Sequence, residues 1–149
     1  MMSTVALKRS WAQDLDTATL YQLLKLRVEV FVVEQKCAYP ELDGLDLLPE
    51  TRHLWLDDDG SVISTLRLLE EHEDGVKSFR IGRLCTAAPL RGHGYTTRLV
   101  KAALAEVGSC PCRINAQTYL VEMYTKFGFQ PDGAEFDDDG VPHLPMRRG

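Results

Sequence analysis

The run Thr86-Ala87-Ala88-Pro89-Leu90-Arg91-Gly92-His93-Gly94-Tyr95-Thr96-Thr97-Arg98-Leu99 decides the fold. It closes a stretch, residues 76–86, that reads as a strand ending before Pro89. It opens an apolar periodicity, Leu99, Val100, Ala103, Leu104 and Val107, that predicts a helix over residues 92–107. A strand delivered through a glycine-rich turn into a helix start suits a phosphate group. The first helical N–H groups have no internal acceptor, and the macrodipole places roughly half a positive charge there. Gly92 and Gly94 allow close backbone approach and positive φ, and Arg91 and Arg98 add fixed charge. On these residues alone, an ordinary capped helix with a glycine-rich start competes with the anion site. No Lys-Ser/Thr follows the glycines, so the run is not a P-loop. Thr97 stands where a third dinucleotide-binding glycine would, and no acidic residue follows on a second parallel strand.

Upstream, residues 5–11 alternate weakly and predict a first strand. Leu20, Leu23, Leu24, Val28 and Phe31 predict a helix over residues 17–32, capped within Asp14-Leu15-Asp16-Thr17. Residues 37–50, with Pro40, Gly44, Pro49 and several acids, read as a long loop, and loops of this length are often functional. Strands over 53–56 and 62–70 flank the Asp57-Asp58-Asp59-Gly60 turn, and residues 71–75 form a second turn. Downstream come a strand at 112–117, a helix at 120–127 stopped by Gly128, and a hairpin of Phe136 and residues 141–146 about Asp137-Asp138-Asp139-Gly140. The order β-α-β-β-β-α-β-α-β-β is an α/β (α+β) layering with a mixed, mostly antiparallel sheet. No repeat or linker divides it, so residues 1–149 read as one domain.

The chain has 149 residues, 44% hydrophobic and 26% charged, and a formal net charge of −5, which argues against nucleic acid or an anionic membrane as a partner. Residues 1–8 are too short and polar for a secretory leader, and no apolar run reaches the roughly 20 residues needed to span a bilayer, so a cytoplasmic location is expected. Cys37 and Cys85 lie in apolar contexts and read as core residues. Cys110-Pro-Cys112 lacks the spacer of a zinc knuckle or redox pair, so reduced thiols are expected. The Asp-Asp-Asp-Gly runs lack calcium-loop spacing, and Glu70-Glu71-His72-Glu73-Asp74 reads as a charged turn, so no metal is expected. Trp11 and Trp55 read as packing residues.

Arg91-Gly92-His93-Gly94-Tyr95-Thr96 resembles the Q/R-x-x-G-x-G/A signature of the GNAT N-acetyltransferase superfamily, with Thr96 in place of the final Gly/Ala. Met123-Tyr124-Thr125-Lys126-Phe127-Gly128-Phe129 resembles its Y-x-x-x-G-F element. Arg27-Val28-Glu29-Val30-Phe31-Val32-Val33-Glu34-Gln35, Asp43-Gly44-Leu45-Asp46, Arg52-His53, Ile81-Gly82-Arg83, Ala116-Gln117 and Asp139-Gly140-Val141-Pro142-His143 resemble the ElaA-like subgroup. These blocks cover most of the chain.

The resemblance implies a GNAT-like sheet with helices on both faces and acetyl-CoA as acyl donor. It assigns the CoA pyrophosphate to the loop Arg91, Gly92, His93, Gly94, Tyr95 and Thr96. It assigns the pantetheine arm to the backbone of Leu84, Cys85 and Thr86. The next strand is expected to splay away, with Gln117 where the family often has Asn. Tyr124 falls where the family keeps its general acid; on the residues alone it also fits a core tyrosine.

The chemistry agrees: a free lysine-type amine has a pKa of about 10.4 and must lose a proton, while a thiolate of parent pKa about 8.5 gains from an O–H donor. Glu34, Asp43, His53 and His143 are the candidate bases, and a water relay is a further possibility. The acidic segment 34–50 is consistent with an electropositive acceptor such as an amine, or with a solvated loop.

Acetyl or short-acyl transfer to a primary amine by direct attack on the thioester is the leading expectation. Cys37 and Cys85 are weak candidates for a covalent acyl carrier, since neither has an evident His partner. An acyl-CoA-binding regulatory module without efficient catalysis is the alternative, and a phosphoryl enzyme is a third. Small polyamines, aminoglycosides and protein amines all remain as acceptors. A monomer or homodimer is expected by family habit.

Overall fold

The computed structural model describes residues 4–149; the leader reading rests partly on residues 1–3, outside the described residues. Strand β1 (Val5–Trp11) is followed by helix α1 (Thr17–Arg27), strands β2 (Arg52–Asp58), β3 (Ser61–Glu73) and β4 (Val76–Thr86), and helix α2 (Tyr95–Val107). Then come β5 (Cys112–Gln117), helix α3 (Val121–Lys126), β6 (Gln130–Pro131), β7 (Phe136–Asp138) and β8 (Val141–Arg148). The eight strands form one sheet in the order β1-β2-β3-β4-β5-β8-β6, with β7 beside β8. Only the β4–β5 pair is parallel, as expected of two strands joined through a crossover helix. The sheet is thus mixed and mostly antiparallel.

Period-2 alternation along β3 separates the two faces. Leu66 and Leu68 join Leu99, Val100, Ala103 and Val107 of α2 in the larger core. Arg67 lies on the opposite face, where Leu26 of α1, Val30, Phe31 and Cys85 build a smaller core. Helices therefore cover both faces. Cys37 and Cys85 are buried, and all four cysteines are free thiols.

Several boundaries depart from the sequence reading. Strand β3 runs to Glu73, and the turn shrinks to Asp74-Gly75, with φ of 51° and 76°. That pair of left-handed residues closes a two-residue hairpin, as Asp59-Gly60 and Asp139-Gly140 also do. The helix predicted over 92–107 begins only at Tyr95, because Gly94 holds the cap in the left-handed region.

The helix predicted over 17–32 starts at the Asp16 cap, whose carboxylate accepts from the Thr19 N–H at 2.7 Å. It then changes character after Arg27. Val28–Glu34 is a π-helix: Gln35 N–H donates to Val30 O at 3.2 Å and Cys37 N–H to Val32 O at 3.1 Å, each five residues back. Wide turns of this kind are frequent at functional sites. This one carries Glu34 and Gln35 toward the two cavities described next. Within the predicted loop 37–50, Leu45–Leu47 forms a 3-10 turn.

Candidate active site

At the start of α2, Thr86, Leu90, Arg91, Gly92, Gly94, Tyr95, Thr96 and Thr97 surround a cavity of about 190 Å³. Gly92 (φ 85°) and Gly94 (φ 77°) make the turn into α2, and neither has any atom within 4 Å of the place a Cβ would occupy. The His93 ring points back to the Leu90 carbonyl at 2.9 Å and stacks on Tyr95.

Thr96, the departure from the family signature, has a definite task. Its hydroxyl meets Thr86 Oγ1 at 3.1 Å, Thr86 meets Ser64 Oγ at 2.7 Å, and Ser64 donates to the Cys85 carbonyl at 3.0 Å. Since that last acceptor is a carbonyl, the donors run one way, from Thr96 through Thr86 and Ser64. The helix start is thereby tied to the strand that precedes it.

The two arginines of this segment do not behave as the sequence reading expects. Arg91 donates to Thr86 O at 3.0 Å through Nε, and its other nitrogens grip Glu34, with Nη2–Oε1 at 2.7 Å. Its charge is already countered. The same hydrogen bond holds the Glu34 carboxyl below its ordinary range. Arg98 turns away from the cavity to the Val5 carbonyl.

Beyond this cradle the sheet opens. Pairing of β4 with β5 ends at Ile81↔Ile114. On the other side of β4 the register with β3 slips between Arg67↔Gly82 and Thr65↔Cys85. The slip is a bulge in which Arg83 takes φ 53°, a conformation uncommon for a long side chain. Leu84, Cys85 and Thr86 therefore face a gap in the sheet with no β5 partner. A second cavity, about 330 Å³, occupies that gap; Leu84, Gln117, Tyr124 and His143 all line it.

Tyr124 comes from α3, is 2% exposed, and packs edge-on against Phe129. Its hydroxyl has no hydrogen-bond partner among the described residues. Burial, then the neighbouring Tyr119 and Cys112, push its pKa further above the ordinary tyrosine value, so it stays protonated. Gln117 on β5 accepts from Gln35 Nε2 at 3.3 Å and stands opposite His143 of β8. His143 Nδ1 lies 2.8 Å from the Val141 carbonyl, and the ring stacks on Phe136. A carbonyl can only accept, so Nδ1 carries the proton and Nε2 of the neutral ring keeps its lone pair.

The other candidate bases lie elsewhere or are engaged. His53 is 1% exposed, contacts the Asp46 carbonyl through Nε2 at 3.0 Å, and does not line either cavity. Burial lowers its pKa. Asp43 is held by Arg67 through two hydrogen bonds, of 2.8 and 2.7 Å, which keep it far below the usual carboxylate range. Cys85 is no better a nucleophile, since burial pushes its thiol up to about 12.

Around Asp43 lies a cluster the sequence reading missed. Arg27, 1% exposed, binds Glu41 and Asp46; Arg67 binds Asp43 and Asp46; Arg83 binds Glu41 and Asp43. Glu41, Asp43 and Asp46 of the predicted loop are thus matched by three arginines. One signal was available: Arg27 falls on the apolar stripe of α1, four residues after Leu23, where a charge requires a buried partner.

A strand–cradle–helix unit beside a splayed strand pair is matched by known proteins. The family model for the acetyltransferase (GNAT) domain matches residues 18–148, and the chain belongs to that family. Within it the chain falls in the ElaA-like subgroup: the crystal structure of Escherichia coli ElaA superposes with a TM-score of 0.88 at 31% identity, covering 98% of this chain and 100% of that one. An acyl-CoA N-acyltransferase from Pseudomonas aeruginosa gives a TM-score of 0.87 at 37% identity over 97% of this chain and 99% of its own. A UPF0039 protein of Mycobacterium tuberculosis is 66% identical over 146 residues, 97% of this chain and 94% of the relative. The family binds acyl-CoA and an amine acceptor, and the fold and relatives support an N-acyltransferase. No helix among the described residues is long and apolar enough to cross a membrane.

Proposed function

We propose that the chain transfers an acetyl or short acyl group from acyl-CoA to a primary amine by direct attack on the thioester. One observation carries this: β4 has no β5 partner beyond Ile81, and Leu84, Gln117, Tyr124 and His143 line the cavity in that gap, next to the cradle at α2 that Thr86 lines. The pyrophosphate sits on the amides of Gly92, His93, Gly94, Tyr95 and Thr96, where unpaired N–H groups and the helix dipole favour an anion. The pantetheine amides pair with Leu84, Cys85 and Thr86 as a missing strand would, and Gln117 orients the arm.

The acceptor amine gives its proton to His143 Nε2 as its nitrogen bonds to the acyl carbon. The C–S bond then breaks, and the electron pair leaves on sulfur as the thiolate. Tyr124 hydrogen-bonds that thiolate. Because its pKa is raised, Tyr124 stabilises the developing charge rather than becoming a free tyrosinate. The imidazolium of His143 then gives up its proton, which reaches the thiolate through solvent, so the products are the amide and the CoA thiol and His143 is neutral again. The four free thiols suit a reducing cytoplasm.

The test is thiol release from acetyl-CoA across an amine panel, with His143→Gln as control. We expect release with at least one primary amine. We expect the variant to lose about 100-fold and to recover as pH rises toward the amine pKa of about 10.4. Binding of acetyl-CoA without release across the panel would leave only a binding module, and absence of binding would overturn both readings.

A further inference from the structure

Thr86 ends β4 on the side that β5 leaves unpaired. The next residue, Ala87, donates its N–H to Ile63 O at 2.9 Å, and Thr86 stands opposite Ser64 of β3. Successive residues of an antiparallel pair turn their N–H and C=O groups to opposite sides, so Thr86 turns its own toward the gap. That carbonyl is already taken, because Arg91 Nε donates to it at 3.0 Å. Both terminal nitrogens of Arg91 are gripped by the two oxygens of Glu34, with Nη2–Oε1 at 2.7 Å. An arginine that lines the cradle thus gives its charge to a carboxylate and its Nε–H to the open edge. Gln35, the next residue after Glu34, reaches across to β5 and donates to Gln117 at 3.3 Å. One π-turn therefore sends a side chain to each side of the gap, Glu34 to the cradle and Gln35 to β5.

We propose that Glu34 is a built-in competitor of acyl-CoA: it withholds Arg91 from the coenzyme's phosphates and, through Arg91, keeps the Thr86 carbonyl capped until the coenzyme displaces it. This rests on the acyl-CoA reading of the cradle. The two side chains are 43% and 41% exposed, so solvent screens the pair and a ligand reaches it without unfolding the turn. A pyrophosphate offers two negative groups to the guanidinium where Glu34 offers one, and so it prevails when bound. The exchange replaces charged hydrogen bonds by others of the same kind, so Glu34 tunes affinity by a small factor and does not abolish binding. When CoA leaves, Glu34 recaptures Arg91 and the edge is capped again, which favours product release.

Calorimetric titration of the full chain with CoA at about 0.15 M salt tests this, in wild type, Glu34→Gln, Arg91→Gln and the Arg91→Gln/Glu34→Gln double variant. Both positions are exposed, so the variants are expected to fold, and their melting temperatures check this. Glu34→Gln is expected to bind CoA about threefold to fivefold tighter than wild type, the upper range of one exposed ion pair. In the Arg91→Gln background the same change is expected to alter affinity by less than about twofold, because the carboxylate then has no cation to withhold and its own field is screened. Unchanged or weaker binding by Glu34→Gln overturns the inference and makes the pair a support of the cradle. A gain of the same size without Arg91 also overturns it, since Glu34 then acts by repulsion alone. No CoA binding by any of the four proteins overturns the acyl-CoA reading and this inference with it, whereas binding that ignores residue 34 overturns the inference alone.

Discussion

Two side chains carry the proposed chemistry, and each is prepared by its neighbours rather than by its own nature. Tyr124 is buried beside Phe129 with its hydroxyl left open to the cavity, and His143 has its tautomer set by one backbone carbonyl. Tyr124→Phe keeps the ring and its packing and removes only the donor. We expect turnover to fall by about 100-fold with acyl-CoA affinity and melting temperature nearly unchanged; unchanged turnover under chemistry-limited conditions would remove Tyr124 from the role. Arg27 is structural by the same kind of reasoning. Arg27→Leu leaves Glu41 and Asp46 buried without that partner, and we expect a loss of about 3–5 kcal/mol in urea unfolding. Tyr124, Gln117 and His143 were named from motif position. The sequence could not show that His53 is enclosed and Glu34 engaged, because both facts depend on residues 7 and 57 positions away.

Among the elements, the turn into α2 has the most demanding backbone. Gly94 has room for a Cβ, so Gly94→Ala tests conformation and not sterics. A left-handed alanine costs about 1–2 kcal/mol. We expect acetyl-CoA to raise the melting temperature of this variant less than that of wild type, because the first amides of α2 must rotate away from the cradle to relieve the strain. The hairpins were legible from Asp-Gly pairs alone, since two consecutive left-handed residues are a local requirement. The bulge at Arg83 and the π-turns after Arg27 were not. No residue there prefers such geometry, and both are held by the arginine–carboxylate cluster that docks the loop on the sheet.

Over the whole molecule that cluster and His53 make stability depend on pH. The Asp43 pKa is lowered by its bond from Arg67. For Asp46, burial is the largest single influence and works the other way, but the bond from Arg27 together with the charges of Arg27 and Arg67 more than offsets it. Their contribution is complete above the unfolded carboxylate value of about 4 and is lost as pH falls through the lower folded values. His53 is buried neutral with a depressed pKa, so the unfolded chain binds its proton first. Stability from this source is present above about pH 6.5 and declines below it. Melting temperature is therefore expected to fall in two stages on acidification, and His53→Gln to remove the first; a single stage below about pH 4 in wild type would contradict the His53 assignment.

The sequence by itself determined most elements and their order along the chain, the helix faces and the Gly-rich turn into α2, because alternation, helical periodicity and Gly-rich turns are local properties of the chain; the short strand β6 was not legible. Only the tertiary structure decided which charges are free. Glu41, Asp43 and Asp46 of the loop 37–50 looked available for an amine, yet arginines from α1, β3 and β4 consume them, while Asp138 and Asp139 of a turn read as mere punctuation line the cavity with no ion-pair partner among the described residues. Electrostatic compensation acts through space between residues far apart in the chain, so no local pattern reports it.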